Sequence, residues 1–122
     1  MGIQETKPIY LQLADKLMNM IADGSIAPDE RVPSVREFAA DNQVNVNTAM
    51  RSYDYLTSKG IIYNRRGMGY YADPHGAELV AELRREEFLL HDMEYFFSRV
   101  RSFGMDAQSL AELYREYLDK QK

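Results

Sequence analysis

Ser34-Val35-Arg36-Glu37-Phe38-Ala39-Ala40-Asp41-Asn42-Gln43-Val44-Asn45-Val46-Asn47-Thr48-Ala49-Met50-Arg51-Ser52-Tyr53-Asp54-Tyr55-Leu56 reads as two short helices around a polar break. Ser34 is an N-cap residue, and Glu37 three residues on completes a capping box, in which each side chain takes up the other's free backbone N–H. Val35, Phe38 and Ala39 form the buried side of the first helix. Asp41-Asn42-Gln43 is the break, and Val44 is an apolar pin between the helices. Asn45 or Asn47 caps the second helix, because a short amide side chain can accept from the exposed N–H groups of a first turn. In that helix Ala49, Ser52, Tyr53 and Leu56 fall at i, i+3, i+4 and i+7 and face a core. Asn47, Thr48, Met50 and Arg51 lie off that stripe.

Upstream, Ile9, Leu13, Leu17, Met20 and Ile21 make the apolar face of a helix that opens near Pro8 and closes at Asp23-Gly24. Ile26 to Pro33 is a linker with two prolines. Downstream, Ile61-Ile62-Tyr63-Asn64 and Tyr70-Tyr71-Ala72 flank Arg65-Arg66-Gly67-Met68-Gly69. Two aromatic and β-branched runs around a Gly-containing turn predict a β-hairpin. Residues 77–102 contain no Gly or Pro, and Leu83, Leu90 and Phe97 repeat every seven residues. A single long helix with a broad apolar stripe is expected there. Gly104 ends it, and Asp106 caps a last helix carrying Leu110, Ala111, Tyr114 and Leu118 on one face. The fold class is therefore mainly α with a small β-hairpin, in two parts, residues 1–74 and 75–122.

Bulk properties narrow the function. The 122 residues include no cysteine, which excludes disulfides and thiolate metal sites. No apolar run approaches the roughly 20 residues that span a bilayer. Met1 to Pro8 lacks the apolar region of a signal peptide, and its Met1-Gly2 and Thr6 match a myristoylation pattern only in passing. A cytoplasmic protein is expected. The net charge is −4, yet it is unevenly spread. Residues 76–122 hold seven Lys or Arg against ten Asp or Glu. Residues 31–75 have a net charge of +2, with Arg31, Arg36, Arg51, Lys59, Arg65 and Arg66 against Glu37, Asp41, Asp54 and Asp73.

The order helix, helix, turn, helix, hairpin is that of a helix-turn-helix with a wing, in which the helix after the turn enters the major groove of duplex DNA. Asn47 can pair with adenine, Arg51 with guanine, and Thr48 can meet a phosphate or a thymine methyl. The hairpin tip, Arg65-Arg66-Gly67, suits a phosphate or a minor groove. Gly67-x-Gly69 is not a phosphate-binding loop, because it lacks a third Gly and opens no helix.

The chain also resembles the GntR-type winged-helix regulators. The resemblance rests on Pro8-Ile9-Tyr10-x-Gln12-Leu13, Gly24-x-Ile26, Val32-Pro33-Ser34-x-Arg36-x-x-Ala39, Val44-Asn45-x-Asn47-Thr48, Tyr53-x-x-Leu56-x-x-x-Gly60-Ile61-Ile62 and Arg65-Arg66-Gly67-x-Gly69-Tyr70-Tyr71. These motifs run unbroken over residues 8–72, and the short helical tail is similar to that of the YtrA-like branch. The resemblance implies a homodimeric regulator of transcription, often of transporter operons, acting on double-stranded DNA. Carried over by position, it places DNA contacts on Arg36, Asn45, Asn47, Thr48, Arg51, Arg65, Arg66 and Gly67. Asp29 stands where the family usually has Gly, and Val46 where it has Arg or Pro.

For the tail, the stripe is too wide for one helix in water, and Leu79, Leu83, Leu90, Met93, Phe97 and Val100 are expected at a dimer interface. His91 and Glu87 are spaced as metal ligands, but two residues do not make a site, and no metal or cofactor is expected. No effector is identifiable. With two histidines and no nucleophile–base pair, an enzyme is not expected. The competing reading is a winged helix used as a protein-interaction module, which the acidic net charge favours.

Overall fold

The computed structural model describes residues 7–122. The segment Met1–Thr6, read above for targeting signals, lies outside the described residues. Three helices come first: α1 (Ile9–Ala22), α2 (Val35–Asp41) and α3 (Val46–Ser58). An antiparallel hairpin follows, β1 (Ile62–Arg65) with β2 (Gly69–Ala72), in the register Ile62↔Ala72, Tyr63↔Tyr71, Asn64↔Tyr70 and Arg65↔Gly69. The rest is helical: α4 (Gly76–Glu87), a π-helical turn (Phe88–Asp92), α5 (Met93–Ser102) and α6 (Ala107–Lys120).

The helix boundaries have local causes. Ser34 Oγ accepts from Glu37 N, and Glu37 Oε1 accepts from Ser34 N, each at 3.1 Å, which closes the capping box on α2. These two bonds hold the Glu37 carboxyl below its ordinary range, since both favour its charged form. Asn45 caps α3, with its Oδ1 accepting from Asn47 N at 2.7 Å. Between them the chain reverses through Gln43, whose φ is +56°, and the Val44 N–H returns to the Ala39 carbonyl at 3.0 Å. Asn42 steadies this turn by donating to Phe38 O at 2.8 Å and accepting from Lys16 Nζ at 2.9 Å.

The core gathers Leu13, Leu17, Met18 and Ile21 of α1, Phe38 of α2, Tyr53 and Leu56 of α3, and Ile61, Ile62 and Ala72 of the hairpin region. Tyr53 lies at its centre. Its hydroxyl donates to Pro33 O at 2.6 Å, and its ring meets Tyr70 edge-on at 5.1 Å. Burial pushes its hydroxyl far above the ordinary tyrosine value. The buried Ser52 hydroxyl donates to the Tyr10 carbonyl at 2.6 Å, so this polar group inside the core is satisfied. Ile9, expected on the buried face of α1, is exposed instead. It sits in the first turn, one turn before Leu13, beyond the reach of the core.

Two features differ from the sequence reading. The linker is not free-standing. Val32 N donates to Tyr70 O and Ala72 N to Glu30 O, both at 2.9 Å, so it pairs along the outer side of β2. The long helix is not uniform. A π turn at Phe88–Asp92, which holds one residue more per turn than an α-helix, interrupts it between α4 and α5. By compactness, one unit of the chain ends at Arg85 and the next begins at Glu86. The cause is α4, whose Val80 is buried in the core while Leu79 and Leu83 pack partly buried against it. Arg84 further ties α4 to α1 by donating to Asn19 Oδ1 at 2.8 Å. Leu79 and Leu83, expected at a dimer interface, are half-buried and pack against the core of their own chain.

From Glu86 onward no residue is buried. Leu90 is 67% exposed and Phe97 49%, with Met93 and Val100 half-buried. Leu89, Met93, Phe97, Glu94, Ser98 and Arg101 line a shallow surface groove there. On α6, Leu110 and Ala111 are half-buried, whereas Leu113, Tyr114, Tyr117 and Leu118 are exposed.

Candidate nucleic-acid interface

The candidate residues sit on three elements of the first unit. Arg36 occupies the second position of α2, exposed, with no hydrogen bond or ion pair among the described residues. α3 is fixed on one side by Ala49, Ser52, Tyr53 and Leu56, all fully buried. A helix turns 100° per residue, so Asn47 and Arg51 fall on the opposite side, one turn apart. Asn47 is exposed and its amide has no partner among the described residues. Thr48 is half-buried on the flank. Asn45 is exposed, but its side-chain oxygen is held by the helix end. The N-terminus of α3 still carries the positive end of the helix dipole, which favours a phosphate.

Arg51 does not stand free. Its guanidinium lies 4.2 Å from the centroid of the Tyr10 ring on α1, within cation–π range.

The wing treats its two arginines differently. Arg65, at the end of β1, shares a sheet face with Tyr63 two residues earlier, and Tyr71 is the cross-strand partner of Tyr63. The two tyrosine rings stack at 5.9 Å, and the Arg65 guanidinium lies 4.4 Å from the Tyr71 ring centroid. Arg65 Nη2 donates to the Tyr63 hydroxyl at 3.1 Å, and that hydroxyl donates to Asp29 Oδ1 at 2.7 Å. The bond to the Asp29 carboxylate raises the Tyr63 hydroxyl above its ordinary pKa, since it stabilises the protonated form. Arg66, in contrast, is exposed at the tip with no partner among the described residues. The tip is a tight turn closed by Met68 N donating to Arg65 O at 2.8 Å. Gly67 takes its third position at φ +76°, a conformation that a side chain disfavours.

Asp29 explains its own departure from the family pattern. Its φ is +63°, in the left-handed region where Gly is at ease and where Asp is among the better tolerated alternatives. Sequence reading gave no role to Tyr63, Tyr71 or Tyr10, and marked Asp29 only as a departure from the family pattern. The alternation Tyr63, Arg65 on one strand face was a usable signal for the first. Nothing local paired Asp29 with Tyr63, 34 residues away.

The surface therefore combines a fixed helix with an exposed amide, a free arginine on the preceding helix and a cationic turn. These are the chemical groups that meet phosphates and base edges in duplex DNA. Among the described residues no group of three or more His, Cys, Asp or Glu could hold a metal ion, and no helix is long and apolar enough to cross a membrane.

Comparison with known proteins agrees with this geometry. The model of the bacterial regulatory proteins of the gntR family matches residues 9–71. The chain is 34% identical over 109 residues to the uncharacterised HTH-type transcriptional regulator YhcF of Bacillus subtilis, covering 89% of this chain and 88% of YhcF. It is 32% identical over 79 residues to the HTH-type transcriptional repressor YtrA of the same organism, covering 65% of this chain and 61% of YtrA. Among solved structures, a transcriptional regulator of the GntR family from Bacteroides thetaiotaomicron superposes with a TM-score of 0.83 at 37% identity, over 94% of this chain and 100% of that one. The DNA-binding domain of AraR in complex with operator ORR3 superposes with a TM-score of 0.54 at 26% identity, over 59% of this chain and 87% of that one. The family and these relatives are transcription regulators, not enzymes. With its winged helix-turn-helix and the matching motifs over residues 9–71, the chain belongs to the GntR family of bacterial regulatory proteins.

Proposed function

We propose that this protein is a cytoplasmic, homodimeric transcription repressor that binds an inverted-repeat operator. In each half-site α3 enters the major groove, Arg36 meets the adjoining backbone or a guanine, and Arg66 and Gly67 lie against a phosphate or the minor groove. Asn45 and Thr48 contribute backbone contacts at the start of α3. The observation that carries this reading is the two-sidedness of α3: one side is fully buried and rigidly held, and the other presents an unpartnered Asn47 to solvent. The structure of AraR with its operator supports DNA as the ligand. The repressor YtrA supports the sign of regulation, and the YtrA-like resemblance favours a transporter operon as the target.

The dimer rests on the second unit. Phe88, Leu89, Leu90, Phe97, Leu113 and Leu118 are all exposed there, apolar surface of the kind that marks an interaction site. A second copy covering Leu90, Met93, Phe97 and Val100 removes it, and two half-sites multiply specificity. The test is selection of bound duplexes from a random pool with the purified full chain. An enriched inverted repeat is expected. Failure to enrich any sequence at low and moderate salt would overturn the reading.

A further inference from the structure

This inference rests on the operator-binding reading above and concerns which bases the protein selects. From Asn45 to Met50 the sequence holds no Lys or Arg. Guanine is read in the major groove chiefly by a bidentate cation. The nearest candidate on α3, Arg51, is stacked on Tyr10 of α1 at 4.2 Å. What the first turn does present is an apolar side chain beside a free amide. Val46 is 40% exposed and stands outside the hydrophobic core, so its isopropyl group is open to a partner. Asn47 next to it is exposed and unpartnered among the described residues. Asn45 is a weaker reader, because its oxygen is already committed to the Asn47 N–H. Met50, half-buried, follows Val46 by one turn and extends the apolar strip.

From this arrangement we infer that the first turn of α3 selects A·T base pairs. Asn47 pairs bidentately with the N6 and N7 of an adenine, and Val46 packs on the C5 methyl of a neighbouring thymine. Adenine offers the donor and acceptor that an amide matches, and thymine alone among the DNA bases carries a methyl group in the major groove. Asp54, exposed two turns beyond Asn47 on the same side, opposes phosphate contact by the far end of α3 and so favours docking by the first turn.

The test uses the duplex that the wild-type chain enriches, with each thymine replaced in turn by deoxyuridine, which lacks only the methyl. At one thymine per half-site the replacement weakens wild-type binding by about fourfold, the value of one buried carbon. Val46→Ser binds the thymine and deoxyuridine duplexes equally, with its fold verified by circular dichroism. Asn47→Ala loses discrimination at the adjacent adenine by about tenfold or more. Selection with Val46→Arg moves the thymine position towards G·C. The inference is overturned if no thymine methyl matters, if Val46→Ser keeps the wild-type deoxyuridine effect, or if adjacent G·C pairs occupy these positions. Absence of any enriched duplex would instead overturn the operator reading, and this inference with it.

Discussion

The Tyr63 hydroxyl donates a 2.7 Å hydrogen bond to Asp29 Oδ1 and accepts from Arg65, so the wing is tied to the linker that runs beside it. Arg65 is held over the Tyr71 ring by the same arrangement, whereas Arg66 is left to solvent. Tyr63 is thus a positioning residue for the wing. Tyr63→Phe removes only the hydroxyl and frees the guanidinium to sample other rotamers. Ordering one such side chain costs about 0.5–1.5 kcal/mol on binding. Operator affinity should fall about two- to twelvefold, with the melting temperature nearly unchanged because the network is solvent-facing. Fluorescence anisotropy against a labelled duplex, with a thermal melt alongside, measures both.

Arg66 is assigned to backbone contact rather than base reading. Arg66→Ala should weaken binding similarly across duplex sequences and flatten the salt dependence by about 1 in log–log slope. If one operator position alone relaxed, the tip would be reading a base.

Gly76 is required by packing. A Cβ there would come within 2.9 Å of Ile21 Cγ2, and Ile21 is buried and unable to swing aside. Gly76→Ala should destabilise the fold by about 1–3 kcal/mol, the usual effect of overfilling a packed site. Denaturant unfolding reports it, and DNA affinity at a temperature where the variant is folded should be unaffected.

Tyr53 makes stability fall in alkali. Its hydroxyl is raised above the ordinary value of 10.0 by burial, then by Glu37 and Tyr70, so the folded state keeps a proton that the unfolded state releases. Stability from this source is fully present below about pH 10 and is lost as pH rises beyond it. Tyr53→Phe should abolish this part of the alkaline slope. It also loses the bond to Pro33 O, at a cost of about 1 kcal/mol at neutral pH. Chemical denaturation at pH 8 and above pH 10 separates the two effects.

Leu90 tests the dimer. Leu90→Asp places a charge in the exposed apolar surface of the second unit and should yield monomers in sedimentation. The monomer should retain a weak affinity for a single half-site. An unchanged dimer would remove Leu90 from the interface.

Much of the winged helix was legible because its signals are local. Ser34 and Glu37 announce the capping box three residues apart, and Ala49, Ser52, Tyr53 and Leu56 show the buried side of α3 by their period. The hairpin follows from two aromatic runs around Gly67. What escaped depends on distant partners. The pairing of Arg31 with Tyr71 links a proline-containing linker to a strand 40 positions on, and no periodicity encodes it. Leu79 and Leu83 continue the stripe of Leu90 and Phe97, yet a stripe records that a face will be covered and not by what. They pack partly buried on the core of their own chain. The candidate DNA contacts were legible as residue types, but their division into free and held side chains was not. Arg51 and Arg65 look like Arg36 and Arg66 in sequence, and only the rings of Tyr10 and Tyr71 distinguish them.

The most direct test of the central claim is the salt dependence of binding by the full chain to its selected duplex and to a scrambled duplex of equal length. A dimer neutralising about eight phosphates should give a log–log slope near −7, with the selected duplex bound more tightly at every salt concentration. Failure to bind either duplex at any salt concentration would contradict the account and leave the fold as a module for protein partners.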